Sequence, residues 1–355
     1  MPKADDRRAL LRWYRQHRRE LPWRSSSDPY AIWLSEIMLQ QTQVATVIPY
    51  YERFLERFPT VDALAAADEE EVLARWSGLG YYRRAKSLHR GAQLVVRDYG
   101  GQLPQTIDEL LKLPGVGRYT AGAIGSIAFG LEAPILDGNV RRVLSRRHAI
   151  DGDAMGNKAE QATLWRLAEE LVAGETPGDL NQALMELGAL VCTPRDPDCE
   201  SCPWASCCEA RLGDAIDRYP AAVKRKPTTK IDVAVALVRR ADRVLLERPA
   251  ADGPLRGRWD LPAVVVAAAD PHAQLTSYLA KRHQLAVGVG DQLGSASHGI
   301  LDRRLTLRTH KVTLRRGGLG NISSNEALRW VTLDELSEAA ISGATSKALR
   351  SAKQI

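Results

Sequence analysis

The sequence predicts a multidomain chain: an all-α domain over residues 1–220, a linker at 221–230, and an α+β domain over 231–355. Three observations carry this reading. Apolar residues recur at helical spacing through the first part, and a basic, proline-bounded stretch (Pro220, Lys224, Arg225, Lys226, Pro227, Lys230) then breaks the pattern. Beyond it Val233, Val235 and Leu237 alternate with smaller residues, as in a half-buried strand. A chain of 355 residues is long enough for a separate core in each part.

Each element has a local cause. Asp28-Pro29 reads as an N-cap followed by a first-turn proline, and apolar residues then recur through Ile32, Trp33, Ile37, Val44 and Ile48. At helical spacing Glu36, Gln40 and Gln43 share one face of that segment. Thr106 and Glu109 have capping-box spacing ahead of Leu110, Leu111 and Leu113. Further helices fit residues 61–76, 83–98, 119–129, 139–148, 158–173 and 179–190. In the second part Val244, Leu245 and Leu246 follow a short turn, and 271–283 suggests a helix. Leu305, Leu307, Val312 and Leu314 suggest later strands, and 333–350 closing helices.

No apolar run approaches the ~20 residues that span a bilayer, and the Arg-rich N-terminus has no apolar signal core. An intracellular protein with no membrane partner is the expectation. The net charge of +6 is unevenly placed: residues from 229 onward hold 19 basic and 12 acidic residues, and the remainder is almost neutral. By position alone, the clusters Arg83, Arg84, Lys86, Arg90 and Arg141, Arg142, Arg146, Arg147 read as solvated helix faces.

All five cysteines fall between 192 and 208. Cys192, Cys199, Cys202 and Cys208 spell Cys-x6-Cys-x2-Cys-x5-Cys, with Cys207 left over. Thiolates are soft ligands that suit zinc or iron–sulfur clusters. Zinc sites usually pair two short hooks, whereas these ligands wind through one loop, so the spacing leans towards a 4Fe–4S cluster and leaves zinc open.

Leu113-Pro114-Gly115-Val116-Gly117 separates two predicted helices, and its glycines can present backbone N–H groups at a helix N-terminus, a phosphate-binding arrangement. Asp137 reads as the N-cap of the helix carrying Val140, Val143 and Leu144. Glu36, by position alone, reads as a surface carboxylate.

Whole phrases change that picture. LPGVGRYTAGAI, together with the cysteine spacing, resembles the helix-hairpin-helix DNA glycosylases, and WLSEIMLQQTQVATVIPYYERF closely resembles a segment of the MutY adenine glycosylases. LPWR at 21–24, GLGYYRRA at 78–85 and NQALMELGALVC at 181–192 also fit that family. The resemblance implies a six-helix barrel over about 28–132, and an iron–sulfur part formed by the N-terminal segment and 133–220. It implies one 4Fe–4S cluster on the four cysteines and no catalytic divalent metal. The implied partner is double-stranded DNA carrying A:8-oxoguanine or A:G mispairs, and the implied setting is a cytoplasmic bacterial monomer acting at the nucleoid.

By the same resemblance, Glu36 is the acid that protonates adenine N7, and Asp137 the carboxylate that stabilises the sugar cation. Asn139 and Tyr119 complete the catalytic set. Tyr119 stands where endonuclease III-like members carry a Schiff-base lysine, which implies a monofunctional glycosylase rather than a glycosylase/lyase for oxidised pyrimidines. Gln41 and Tyr81 would enter the base stack, and Leu21 and Trp23 would wall the base pocket. Arg19, Gln182, Gly115, Val116 and Gly117 complete the expected DNA contacts. Retention of both carboxylates argues against a non-catalytic lesion binder.

Val244-Leu245-Leu246-Glu247-Arg248-Pro249 and Gly257-Arg258-Trp259-Asp260-Leu261-Pro262 resemble the opening of a Nudix-like domain. Residues 263–285 contain no glutamate, so the metal site of a Nudix hydrolase cannot be built there. The family uses this domain to recognise 8-oxoguanine through a loop of Phe-Ser-His type. The match here is Ala296-Ser297-His298, which leaves Ser297 and His298 as polar contacts and no aromatic.

Overall fold

The computed structural model describes residues 4–151, 158–221, 228–248, 259–266, 270–300, 302–315, 327–337 and 341–355. Most of the linker, at 222–227, and Pro249, Gly257 and Arg258 of the Nudix-like phrases lie outside them. The chain forms two compact units, residues 1–66 with 87–225, and 67–86 with 226–355.

The helices run α1 (Ala4–His17), α2 (Pro29–Leu39), α3 (Val44–Arg57), α4 (Val61–Ala66), α5 (Glu69–Arg75) and α6 (Arg83–Tyr99). They continue with α7 (Ile107–Leu110), α8 (Arg118–Phe129), α9 (Gly138–Arg147), α10 (Lys158–Val172), α11 (Pro177–Leu190) and α12 (Glu209–Leu212). Asp28 caps α2 by accepting from the Tyr30 amide at 3.0 Å. Every residue from Tyr30 to Met38 is buried, so α2 is a central helix rather than an amphipathic one. A second core joins α1, α9, α10 and α11 through Leu10, Tyr14, Val140, Leu144, Leu164 and Leu184.

Two expected helices are interrupted. The helix opened by Asp28 stops at Leu39, Gln41 takes a left-handed backbone (φ 57), and Gln43 becomes the residue before α3. Gln43 therefore does not share a helical face with Glu36. The helix expected over 61–76 divides at Asp68, whose extended backbone precedes the acidic first turn Glu69-Glu70-Glu71 of α5.

In the second unit the strands β1 (Thr229–Arg240), β2 (Arg243–Glu247), β3 (Ala263–Val265), β4 (Val287–Ile300), β5 (Arg303–Leu314) and β6 (Leu328–Thr332) form one sheet. Its order is β4-β5-β1-β2-β6, with β3 also on β1; β1 and β5 are parallel and the other pairs antiparallel. α13 (Pro271–His283) covers one face, setting Leu275 and Leu279 on Ala234, Ala236 and Val312. α14 (Gly343–Ser351) covers the other, where Ala348 and Leu349 meet Val233, Val235 and Leu307. Each buried leucine contributes about 1.5–3 kcal/mol. The segment 67–86 belongs to this unit, with the Tyr82 hydroxyl donating to the Ile341 carbonyl at 2.9 Å. The Leu305 to Leu314 strands are one strand, and the closing helices reduce to a short turn at Glu335–Ser337 and α14, with 338–340 outside the described residues.

Candidate active site and cysteine cage

A cavity of about 580 Å³ opens in the first unit. Glu36 reaches it from α2, Tyr119 from α8, Asp137 and Asn139 from the start of α9, and Gln182 from α11. Leu21 and Trp23, both buried, form an apolar wall, and Gln41 and Arg19 lie at the same cavity. Leu21, Glu36, Tyr119, Asp137 and Gln182, quoted from separate motifs, thus meet in one place.

Glu36 is 5 % exposed, because the helix that carries it is enclosed on all sides. The surface position read from spacing alone is overturned. The Tyr119 hydroxyl donates to Glu36 Oε2 at 2.9 Å, and Met185 Sδ lies 3.2 Å from the same hydroxyl. Burial pushes the Glu36 carboxyl up to about 7, with Asp137 adding to the rise and Tyr119 and Arg24 opposing it. This is a carboxyl that can hold its proton near neutral pH.

Asp137 caps α9. One carboxylate oxygen accepts from the Val140 amide at 2.7 Å and the other from Asn139 Nδ2 at 3.1 Å. Burial raises its pKa, while these donors and the Arg142 charge pull it back. The two carboxyls differ in kind: Glu36 accepts one phenolic hydrogen bond, and Asp137 rests on backbone and amide donors at a helix N-terminus.

Sequence reasoning missed the roles of Glu186, Arg24 and Arg142 here. Glu186, on α11, is buried and accepts from both Arg19 (2.7 Å) and Arg24 (2.8 Å). Burial alone would raise its pKa, but these two guanidinium groups hold the carboxyl down at about 2. Arg19 is therefore committed to a buried carboxylate. The signal was present as a lone glutamate inside the apolar run Ala183-Leu184-Met185-Glu186-Leu187. Arg142 links sites: Nε donates to the Cys192 carbonyl (2.7 Å), and Nη2 to Asn139 Oδ1 (2.8 Å), whose amide in turn holds Asp137.

The arginine cluster of α9 is not a solvated face, whereas Arg83 and Arg90 of the other cluster, on α6, are exposed. Arg141 pairs with Glu160, Arg147 with Asp6, and buried Arg146 donates to the carbonyls of Tyr219, Thr193 and Pro194. Spacing could not show this, because the acceptors lie far away in the chain.

Cys192, Cys199, Cys202 and Cys208 line one small cavity of about 30 Å³, and none is in a disulfide. Burial pushes the Cys202 thiol up to about 12, with the other three sulfurs adding to the rise. Among the described residues no trio of His, Cys, Asp or Glu is drawn together as a single-ion site. Four thiols around one common space are the soft donor set that suits a zinc ion or an iron–sulfur cluster. Cys207 stands outside the cage, its Sγ 3.5 Å from Asp6 Oδ1.

The hairpin lies between α7 and α8. Gly115 has φ 82, and a Cβ there would stand 2.7 Å from Ser87 Cβ, so only glycine fits. Gly117 is exposed with open space beside it at the N-terminus of α8, while the Val116 side chain is buried and leaves only its backbone to offer. In the other unit Tyr81 is half exposed at φ 48. Ala296-Ser297-His298 is not a loop but part of β4. Successive strand residues face opposite sides, so Ser297 is exposed while His298 turns towards Gly343 at the start of α14. The pair cannot present both side chains to one base in this conformation.

Residues 34–170 match the HhH-GPD superfamily base excision DNA repair protein family, and 233–351 match the NUDIX domain. The adenine DNA glycosylase of Rattus norvegicus is 37 % identical over 97 % of this chain and 77 % of the relative. The chain belongs to the adenine DNA glycosylase family. The adenine DNA glycosylase of Homo sapiens is also 37 % identical, over 97 % of this chain and 73 % of the relative. The solved structure of a thermostable thymine-DNA glycosylase aligns with 60 % of this chain and all of its own, at TM-score 0.54 and 32 % identity. The family's reaction, removal of adenine by hydrolysis of an N-glycosidic bond in DNA, is the one this chain carries out. Its helical glycosylase part and Nudix-like sheet domain are those the motifs led us to expect.

Proposed function

We propose that the chain excises adenine opposite 8-oxoguanine or guanine, as a monofunctional glycosylase acting on a flipped nucleotide. The observation that carries the chemistry is the Tyr119-bonded, buried Glu36 carboxyl in one cavity with Asp137. Inside a duplex the base is inaccessible, so it must leave the stack, at a cost of a few kcal/mol. In the cavity Leu21 and Trp23 offer an apolar wall, and Gln41 fills the vacated position in the stack. Protonated Glu36 donates to adenine N7, which weakens the bond to C1′. Ionised Asp137 faces the growing positive charge on the sugar. Water then adds at C1′, leaving free adenine and an abasic site.

Tyr119 offers no amine to form a Schiff base, so strand cleavage is not part of the reaction. Borohydride added during turnover should trap no covalent adduct, and a trapped adduct would refute this step. Cys192, Cys199, Cys202 and Cys208 hold a 4Fe–4S cluster, which braces the end of the helical part. Ser297, exposed on β4, is the polar group available for the opposite base. Comparing single-turnover adenine release opposite 8-oxoguanine and opposite guanine tests the substrate assignment. Faster release opposite 8-oxoguanine supports it, and equal or slower release counts against it.

A further inference from the structure

Tyr81 is an exposed aromatic on a tightly held turn. It is half exposed, and its backbone is left-handed at φ 48, a region that L side chains rarely adopt. Gly78 (φ 96) and Gly80 (φ 77) shape the rest of the turn. A strained residue of this kind persists only where its surroundings over-determine it. Two neighbours grip the turn from within. The Trp76 indole donates to the Gly80 carbonyl at 3.0 Å, and Arg84 donates to the same oxygen at 3.2 Å. The Arg84 guanidinium also lies 5.4 Å from the ring centres of both Trp76 and Tyr81.

Tyr82 grips the turn from without. Its hydroxyl accepts from the Gly78 amide at 3.2 Å and donates to the Ile341 carbonyl at 2.9 Å. The Ser77 hydroxyl donates to that carbonyl at 3.2 Å. Ile341 belongs to the core beneath α14, and a bridge ties it to Trp259. The next residue, buried Ser342, caps α14 by accepting from the Thr345 amide at 3.1 Å. The anchor is therefore fixed. α14 also holds the strand that carries Ser297: Lys347 donates to the Ser297 carbonyl at 3.2 Å, and His298 lies against Gly343. Tyr81 and Ser297 are thus carried by one unit, both through α14, whereas Glu36 and Asp137 belong to the other unit.

We infer that Tyr82 is a positioning residue. Through Ile341 it fixes the Tyr81 turn to α14, so that the Tyr81 ring stacks beside the base opposite the excised adenine at a set distance from Ser297. The inference rests on the proposed extrusion of adenine, which leaves the opposite base without a partner. An aromatic ring stacks on such a base whatever its identity. Guanine and 8-oxoguanine differ at O8 and the N7–H, on the edge of the base rather than on its stacked face. Telling them apart therefore needs a polar group held in register with the stacking ring. Tyr82 supplies that register from a buried position, without touching the base.

The test is single-turnover adenine release by Tyr82→Phe in the full chain, opposite 8-oxoguanine and opposite guanine, with thermal midpoints read in parallel. Losing one hydrogen bond at the turn lowers the rate opposite 8-oxoguanine about 5-fold and leaves the rate opposite guanine within ~2-fold. Glu70→Gln weakens a different tie, from α5 to Trp259 (3.4 Å) and Arg329 (3.6 Å), and changes neither rate. An unchanged preference in Tyr82→Phe, an equal fall opposite both bases, or the same loss in Glu70→Gln overturns the inference.

A second readout stands apart from the substrate reading. It uses a duplex with 2-aminopurine opposite a 2′-fluoroadenosine, which resists hydrolysis. Stacking of Tyr81 quenches the 2-aminopurine fluorescence in the wild-type complex; Tyr81→Ala and Tyr82→Phe lose most of that quenching, and Glu70→Gln retains it. Wild-type quenching in Tyr81→Ala or in Tyr82→Phe overturns the inference. If the wild-type chain shows no preference for 8-oxoguanine, the substrate reading fails, and the fluorescence alone decides whether Tyr82 positions Tyr81.

Discussion

The Tyr119 hydroxyl donates to Glu36 Oε2 across 2.9 Å, so a group that cannot form a Schiff base tempers the proton affinity that burial gives the candidate acid. This bond stabilises the ionised carboxylate and works against burial. Tyr119→Phe should raise the Glu36 pKa above about 7 and move the alkaline limb of the single-turnover pH–rate profile upward. An unmoved limb would mean that another group titrates. The same shift governs stability: a carboxyl raised from its usual value to about 7 favours the fold at low pH and loses that contribution as pH rises through about 7. Between pH ~4 and ~8 the wild-type chain should lose about 3 kcal/mol that Glu36→Gln does not lose. Denaturant titrations at both pH values measure this.

Asp137 has a capping role and a proposed electrostatic one, and a single substitution separates them. Asparagine caps helices about as well as aspartate. Asp137→Asn should therefore keep the thermal midpoint within a few degrees while lowering single-turnover excision by ~10²–10³. A large loss of stability with activity preserved per folded molecule would reverse the assignment.

Glu186 is held at about 2 by Arg19 and Arg24, a depressed carboxylate whose stabilising contribution is full above its usual pKa and lost as pH falls towards about 2. Glu186→Gln should flatten acid unfolding over that window. At neutral pH it should cost about 3 kcal/mol, because two guanidinium groups lose their buried anion. Urea unfolding at pH ~7 and ~3 gives both numbers.

Arg142 connects the cysteine loop to Asn139 and so to Asp137. Arg142→Gln should keep iron content and absorbance near about 400 nm yet lower excision ~10-fold, as loss of an orienting partner does. Loss of iron in this variant would assign Arg142 to the cage instead.

Local signals were legible where the chain's own neighbours determine structure. Asp28, Thr106 and Asp137 cap the helices they precede, and the helices from 83 onward fall within a few residues of their periodicity. The residues that share the candidate cavity stood out through whole phrases, not single residues, since burial of Glu36 depends on helices packed around α2 from elsewhere. Long-range pairing was not legible. Nothing local announces that Glu186 meets Arg24, or that Arg146 ties the carbonyls of Thr193, Pro194 and Tyr219. Strand β4 was missed because Gly288, Gly290, Gly294 and Gly299 dilute its β signal, and with it went the opposite facing of Ser297 and His298.

The central claim is that Glu36 supplies the proton that releases adenine. Single-turnover excision by Glu36→Gln from an A:8-oxoguanine duplex, with binding measured in parallel, tests it most directly. The account predicts a rate lower by ~10²–10⁴ with duplex affinity within a few fold of wild type. Excision within a few fold of the wild-type rate would contradict it.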